Sequence, residues 1–152
     1  DVKRIVIHEE HCIACRLCEV HCLVQHSESR DIIRTFKSGG ERPLPRLTFE
    51  ESGPLSFALQ CRQCDEPTCL EACISGAMHR DEATGAVMCD EDRCVGCWMC
   101  IMVCPTGAIQ QNLRGTRVAS KCDLCYGAEV PACVAGCPNE ALTYEEIPGR
   151  DA

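Results

Sequence analysis

The stretch Cys94-Val95-Gly96-Cys97-Trp98-Met99-Cys100-Ile101-Met102-Val103-Cys104-Pro105 decides the fold, because it spaces four cysteines as C-x2-C-x2-C-x3-C and follows them with proline. That is the bacterial spacing for thiolate ligation of [4Fe–4S] clusters. Two-residue gaps let three thiolates from one tight loop grasp three irons of one cluster. The fourth Cys, at the head of a helical turn, points elsewhere and ligates a second cluster. One such run implies another. Pro105 lacks an N–H and fixes φ, so it bends the chain away after Cys104.

Three further runs are present: Cys12-x2-Cys15-x2-Cys18-x3-Cys22, Cys61-x2-Cys64-x4-Cys69-x3-Cys73 and Cys122-x2-Cys125-x7-Cys133-x3-Cys137-Pro138. Each quartet ends in C-x3-C, while the loop before the third cysteine grows from two to four to seven residues. The chain reads as a repeat with tuned insertions. Of the 17 cysteines only Cys89 lies outside the quartets.

Composition agrees. Only 4% of the 152 residues are aromatic, which is poor for a conventional core, so something else must supply cohesion. A secreted disulfide scaffold demands neither four quartets of one spacing nor an odd cysteine. Zinc sites need C-x2-C pairs set well apart and leave the third cysteine of each run unexplained. The formal charge is −8, and four [4Fe–4S]2+ cores with four thiolates each add roughly −8 more, which disfavours nucleic acid and anionic membrane as partners. No apolar run approaches the ~18 residues of a membrane span, and the first thirty residues hold no apolar targeting core. A reducing, cytoplasmic location is expected.

Along the chain, residues 2–8 alternate as a strand leading into the first cysteine loop. Residues 19–26 are helix-compatible and carry Cys22. The polar stretch 27–42 predicts an irregular excursion over the surface. Residues 44–50 and 55–60, on either side of Glu51-Ser52-Gly53-Pro54, predict a hairpin, and Pro67 opens a short helix carrying Cys69 and Cys73. Two ribbons are expected, 77–80 with 85–89 and 108–111 with 117–121, followed by a last strand at 141–145 and a loose tail.

Four quartets in this order, with these gaps, resemble the four-cluster polyferredoxin subunits of molybdopterin oxidoreductases, hydrogenases and carbon monoxide dehydrogenases over nearly the whole chain. Gln60-Cys61-Arg62-Gln63-Cys64, Gly96 to Cys104 and Lys121-Cys122-Asp123-Leu124-Cys125 look most like the ferredoxin-like electron-transfer protein associated with nickel carbon monoxide dehydrogenase. Related subunits serve formate dehydrogenases, [FeFe]-hydrogenases and tungsten aldehyde oxidoreductases. The resemblance implies an α+β fold of two interleaved bacterial dicluster ferredoxin modules, with short ribbons and short helices around four [4Fe–4S] clusters. Some relatives replace a cysteine of the third run with Trp and hold a [3Fe–4S] cluster. Here Trp98 stands beside an intact Cys97, so four cubanes are expected. Leu23 and Ile74 depart from the Pro that ferredoxins often have there, which bears on loop shape.

The gaps suggest which runs share a module. Cys73 to Cys94 is 21 positions and Cys104 to Cys122 is 18, each enough for one ribbon, whereas Cys22 to Cys61 is 39. Runs two and three are therefore paired in one module, residues 44–104. Runs one and four close the other, residues 1–43 with 105–152, inside a single unit 1–152. The ligand sets that follow are Cys12, Cys15, Cys18 with Cys137; Cys122, Cys125, Cys133 with Cys22; Cys61, Cys64, Cys69 with Cys104; and Cys94, Cys97, Cys100 with Cys73.

Other residues have bland readings beside the functional ones. Cys89 reads as an apolar filler on a ribbon strand, or as an extra redox-active thiol. His11 and His21 border ligands and could donate N–H···S bonds. Arg62, Arg93 and Lys121 read first as solvated surface charges; the functional reading is that they stabilise a reduced cluster. Trp98 reads as packing over a cluster.

The sequence holds no phosphate loop, flavin fingerprint or nucleophile triad, so the reading is an electron wire and not an enzyme. It would link a catalytic subunit, carbon monoxide dehydrogenase first and formate dehydrogenase, hydrogenase or aldehyde oxidoreductase as alternatives, to a second redox partner such as a flavin NAD(P) oxidoreductase. A soluble polyferredoxin carrier is the rival reading.

Overall fold

Every strand among the described residues belongs to a two-stranded antiparallel ribbon. The computed structural model describes residues 2–37, 39–40 and 42–148. In chain order the elements are β1 (Val2–Ile7), a 3-10 turn (Glu9–His11), α1 (Leu17–Gln25), α2 (Ile32–Lys37), β2 (Thr48–Ser52), β3 (Leu55–Leu59), α3 (Thr68–Glu71), β4 (Met78–Arg80), β5 (Val87–Cys89), α4 (Met99–Val103), β6 (Gln110–Asn112), β7 (Val118–Ser120), α5 (Ala132–Ala135) and β8 (Leu142–Ile147). β1 pairs with β8, so the two ends of the chain close on each other, with Ile5 opposite Tyr144 and Ile7 opposite Leu142. The other ribbons are β2–β3, β4–β5 and β6–β7.

The helices pack in two pairs, α1 on α5 and α3 on α4. The first contact is close enough that a Cβ on Gly136 would collide with the His21 ring, which explains a glycine there. Beneath it lies one core of Ile5, Leu47, Ala58, Leu142 and the sulfurs of Cys18, Cys22, Cys122 and Cys133. A second core of Met78, Cys100, Ile109 and Ala119 lies between α4 and the neighbouring ribbons. Arg4 pairs with Asp65, and Arg80 donates to the carbonyls of Cys64 and Asp65, tying the run-two loop to β1 on one side and β4 on the other.

Several expectations shift. The stretch 27–42 contains α2, opened by the Asp31 carboxylate accepting from the Arg34 N–H at 2.8 Å. Asp31 does locally what hydrophobic periodicity did not announce. Cys73 lies beyond the end of α3 instead of on it, and Cys104 and Cys137 likewise follow α4 and α5. The fourth cysteine therefore ends a helical turn and does not head it; only Cys22 sits inside its helix, which runs longest. The hairpin β2–β3, which the gap argument grouped with runs two and three, packs against β1 and the 3-10 turn. β8 extends two residues past the expected strand, and the loose tail expected after it lies outside the described residues from 149 onward.

Ribbons of three to six residues and helices of four to nine are each too small to persist alone. Much of what they bury is cysteine sulfur. The fold should therefore depend on iron. Stripping iron with a chelator under anaerobic, reducing conditions is expected to collapse the far-UV circular dichroism and open the chain to protease. A protease-resistant iron-free chain with native dichroism would contradict this.

Candidate metal centre

The cysteine loops share one backbone device. The residue just before the second cysteine is left-handed in all four runs: Ala14 (φ 57°), Gln63 (φ 49°), Gly96 (φ 70°) and Leu124 (φ 57°). Left-handed backbone costs roughly 1–2 kcal/mol at a non-glycine residue, and such strain concentrates at functional sites. Its local effect is visible in two loops, where the Gln63 and Leu124 N–H groups turn inward to the sulfurs of Cys61 and Cys122, each at 3.4 Å. Gly96 has a further reason to be glycine: a Cβ would lie 2.6 Å from the Arg117 carbonyl oxygen. In the two x2-x2 runs a second left-handed residue, Arg16 or Trp98, caps the helix that follows; in the longer runs Pro67 and Pro131 hold that place.

Sixteen cysteines thereby converge in four groups. Cys12, Cys15, Cys18 and Cys137 line one cavity. Cys73, Cys94, Cys97 and Cys100 line a second, together with Trp98 and Cys89. Cys61, Cys64, Cys69 and Cys104 line a third, with Lys121. The remaining four are buried, and Cys133 lies near enough to Cys122, Cys22 and Cys125 that their charges act on its thiol. These are the same four sets that the gaps in the sequence suggested.

The groups also have neighbours. Cys133 feels Cys18 of the first cavity, Cys122 feels Cys61 of the third, and Cys100 of the second feels Cys69 of the third. By these neighbours the Cys133 group adjoins the Cys12 and Cys61 groups, and the Cys61 group adjoins the Cys94 group. Cys15 and Cys97 at the two ends are exposed, while every cysteine of the Cys133 group is buried.

Burial and mutual repulsion oppose ionisation. Burial pushes Cys18 and Cys100 up to about 11 and Cys122 up to about 12, and it raises Cys133 further still. Burial also pushes on Cys73 and Cys104, but N–H and hydroxyl donors outweigh it, and both are held below the ordinary thiol value. Those donors include the Met78 N–H at 3.4 Å and Ser75 Oγ at 3.7 Å for Cys73, and Thr106 Oγ1 at 3.7 Å for Cys104. Ser56 Oγ donates to Cys12 at 3.3 Å, and the N–H groups of Arg46 and Ala141 donate to Cys22 at 3.2 Å and Cys137 at 3.3 Å. Four thiol sulfurs per group, each group with donors already aimed at sulfur, suit a cationic iron–sulfur core, which would supply the positive charge the thiolates need. The Gln60 amide is 2% exposed and finds no hydrogen-bond partner among the described residues.

Some site residues differ from their sequence readings. Lys121 is not a solvated charge: it is 3% exposed, and its Nζ donates to the carbonyls of Val87 and, at 3.1 Å, Cys122. Arg62 and Arg93 are exposed, Arg93 pairing with Asp90 at 3.6 Å. Cys89 lines the Cys94 cavity, and burial, then Cys94, Cys100 and Cys73, push its thiol up to about 12. Among the described residues the histidine whose ring nitrogen reaches a quartet sulfur is His26, while His11 lines the Cys12 cavity. His26 Nδ1 lies 2.8 Å from the Cys22 carbonyl and 3.8 Å from Cys22 Sγ, and Nε2 lies 3.3 Å from Asp123. Burial works against its charged form, but the Asp123 carboxylate wins and raises it to about 9. Arg46 completes this network at 3.0 Å from Asp123. The i, i+4 spacing of Cys22 and His26 was a readable signal; Arg46 and Ser56 arrive from distant segments and gave none.

Among the described residues no helix is long and apolar enough to cross a membrane. Residues 54–147 match the model of the 4Fe-4S dicluster domain. The chain is 37% identical to the electron transport protein HydN of Escherichia coli K12, over 91% of this chain and 85% of that protein. It is 35% identical to an iron-sulfur protein of Rhodospirillum rubrum, over 94% and 82%. It is 33% identical to the probable anaerobic dimethyl sulfoxide reductase chain YnfG of Escherichia coli K12, over 93% and 72%. A family match across more than half of the chain, iron–sulfur relatives along nearly all of it and cysteine quartets that meet in space agree: the chain belongs to the 4Fe-4S dicluster domain family and is an iron–sulfur electron-transfer protein.

Proposed function

We propose that this chain is the electron-transfer subunit of an oxidoreductase complex, carrying low-potential electrons through four [4Fe–4S] clusters held by the four cysteine groups. The observation that carries the reading is the order of the groups: a line with one exposed cysteine at each end and a fully buried quartet within it. A freely diffusing carrier needs one accessible site, whereas a line with two accessible ends suits a catalytic partner at one end and an acceptor at the other. A cluster supplies reversible one-electron transfer, and four thiolates leave it no open position for substrate.

The chain's own residues do the rest. Cys12, Cys15, Cys18 with Cys137 and Cys94, Cys97, Cys100 with Cys73 would hold the outer pair. Cys122, Cys125, Cys133 with Cys22 and Cys61, Cys64, Cys69 with Cys104 would hold the inner pair. For two interleaved modules, 1–43 with 105–152 and 44–104, the α1–α5 and α3–α4 contacts and the β1–β8 ribbon support the pairing of the runs, while hairpin β2–β3 and the residues Ile109 and Ala119 pack across that division. Buried sulfurs exclude water, and N–H···S donors favour the extra negative charge of the reduced state.

The catalytic partner is an oxidoreductase subunit. Carbon monoxide dehydrogenase is proposed on the motif resemblance; the relatives' names support an electron-transport role and, in one case, a place as a reductase chain. Formate dehydrogenase, hydrogenase and aldehyde oxidoreductase remain alternatives, with a flavin NAD(P) oxidoreductase as a second partner.

Anaerobically reconstituted protein is expected to contain about sixteen iron and sixteen acid-labile sulfide per chain, four complete quartets' worth. Cys137→Ser is expected to damage the cluster of the first run and spare that of Cys122, read as one altered electron paramagnetic resonance signal; a lesion confined to the Cys122 site would overturn the ligand exchange. In mixtures with candidate catalytic subunits, CO, hydrogen, formate or an aldehyde is expected to reduce the clusters within turnover time. If none of these does so with any partner, the electron-transfer subunit reading fails.

A further inference from the structure

We propose that the side chain of Lys121 is a shared electrostatic element, one buried positive charge that raises the potentials of both inner clusters together. The inference rests on the cysteine assignments proposed above. Lys121 lines the cavity of Cys61, Cys64, Cys69 and Cys104, and its own backbone leads directly into Cys122 of the neighbouring buried group. Its ammonium donates to the Val87 and Cys122 carbonyls, and no carboxylate among the described residues pairs with it. The Gln63 amide donates to the same two carbonyls at 3.4 Å and accepts from the Val87 N–H at 2.7 Å, which fixes the acceptors that fix the ammonium. Cys61 shares that cavity with Lys121 and is close enough to Cys122 to act on it. The Lys121 charge acts on Cys69 in one group and on Cys122 in the other.

A cation at this junction stabilises the more negative, reduced state on each side of it. Solvent and salt screen surface charges, but a charge 3% exposed keeps its effect. Lys121 is a positioning residue in this sense: it touches no reacting atom in the structure, and it biases where an electron rests. The outer groups, around Cys15 and Cys97, lie beyond the Cys133 and Cys61 groups and should not feel it comparably.

The test is an anaerobic redox titration of the fully loaded protein, followed by electron paramagnetic resonance, on Lys121→Met, Lys121→Arg and the parent protein. Lys121→Met is expected to move two of the four couples to lower potential and leave two in place, with the same displacement at low and high salt. Lys121→Arg, which keeps the charge, is expected to retain the parent values. If Lys121→Met loads fewer irons than the parent, Lys121→Gln carries the test, since its amide can still donate to a carbonyl without the charge. A shift of one couple, of none, or of all four equally, at parent iron content, overturns the proposal. Iron and sulfide content separates the two levels: a parent protein short of about sixteen irons defeats the four-cluster reading, whereas full content with unmoved couples defeats only the role of Lys121.

Discussion

Thiols gathered in groups of four repel one another once ionised, and that repulsion is the constraint on which the rest of the structure depends. Burial adds to it: Cys122 and Cys133 sit where a thiolate is strongly disfavoured, and neighbouring cysteines push the same way. In an ordinary core such an arrangement would be relieved by moving the groups apart. Here α1 on α5 and α3 on α4 hold them together, and the ribbons are too short to stabilise the fold unaided. The arrangement makes sense when a cation is part of the core, so ligation and folding are one free energy.

The same constraint shapes the backbone. A left-handed residue stands before the second cysteine of each run, three of them not glycine, and in the Cys61 and Cys122 loops it turns its amide hydrogen toward sulfur. The following helix ends at or just before the fourth cysteine in three of the runs, because that sulfur must face the partner group and not its own loop. Insertions before the third cysteine are tolerated because Pro67 and Pro131 restart the helix at a fixed φ, as Arg16 and Trp98 do in the shorter loops. Loop length varies, yet each run places its first three cysteines in one group and its fourth in another.

Spacing is what made the sequence readable. Cysteine gaps are set by ligation geometry, which is local, so the four runs, the ribbons between them and the sets that meet were legible from Cys73, Cys94, Cys104 and Cys122 and the distances between them. What spacing does not encode was missed. α2 depends on the Asp31 cap and carries an exposed apolar face at Ile32 and Ile33, so amphipathic periodicity was absent. Lys121 looked like any charge beside a ligand, and only tertiary packing shows its hydrocarbon stem buried and its ammonium held by two carbonyls. Adjacency in sequence points to His11 and His21, whereas on a helix i, i+4 neighbours meet, which is what brings His26 to Cys22.

A net charge of −8 and a run of cluster sites would together disfavour adding electrons anywhere along the line. The chain answers this unevenly. Its exposed cations, Arg62 and Arg93 among them, are screened by solvent, while Lys121 and the half-buried Arg46 stand in the middle, Arg46 donating its N–H to the Cys22 sulfur and a guanidinium N–H to the Lys121 carbonyl at 3.4 Å. Arg46 is largely neutralised by Asp123 at 3.0 Å and Glu91 at 3.4 Å, which leaves Lys121 as the less compensated of the two. On the electron-wire reading, an electron entering at the Cys15 or the Cys97 end is drawn toward a dry interior and away from solvent. Passage outward then depends on the partner docked at the far end, so direction is set by the assembly while the chain itself provides a level, protected middle.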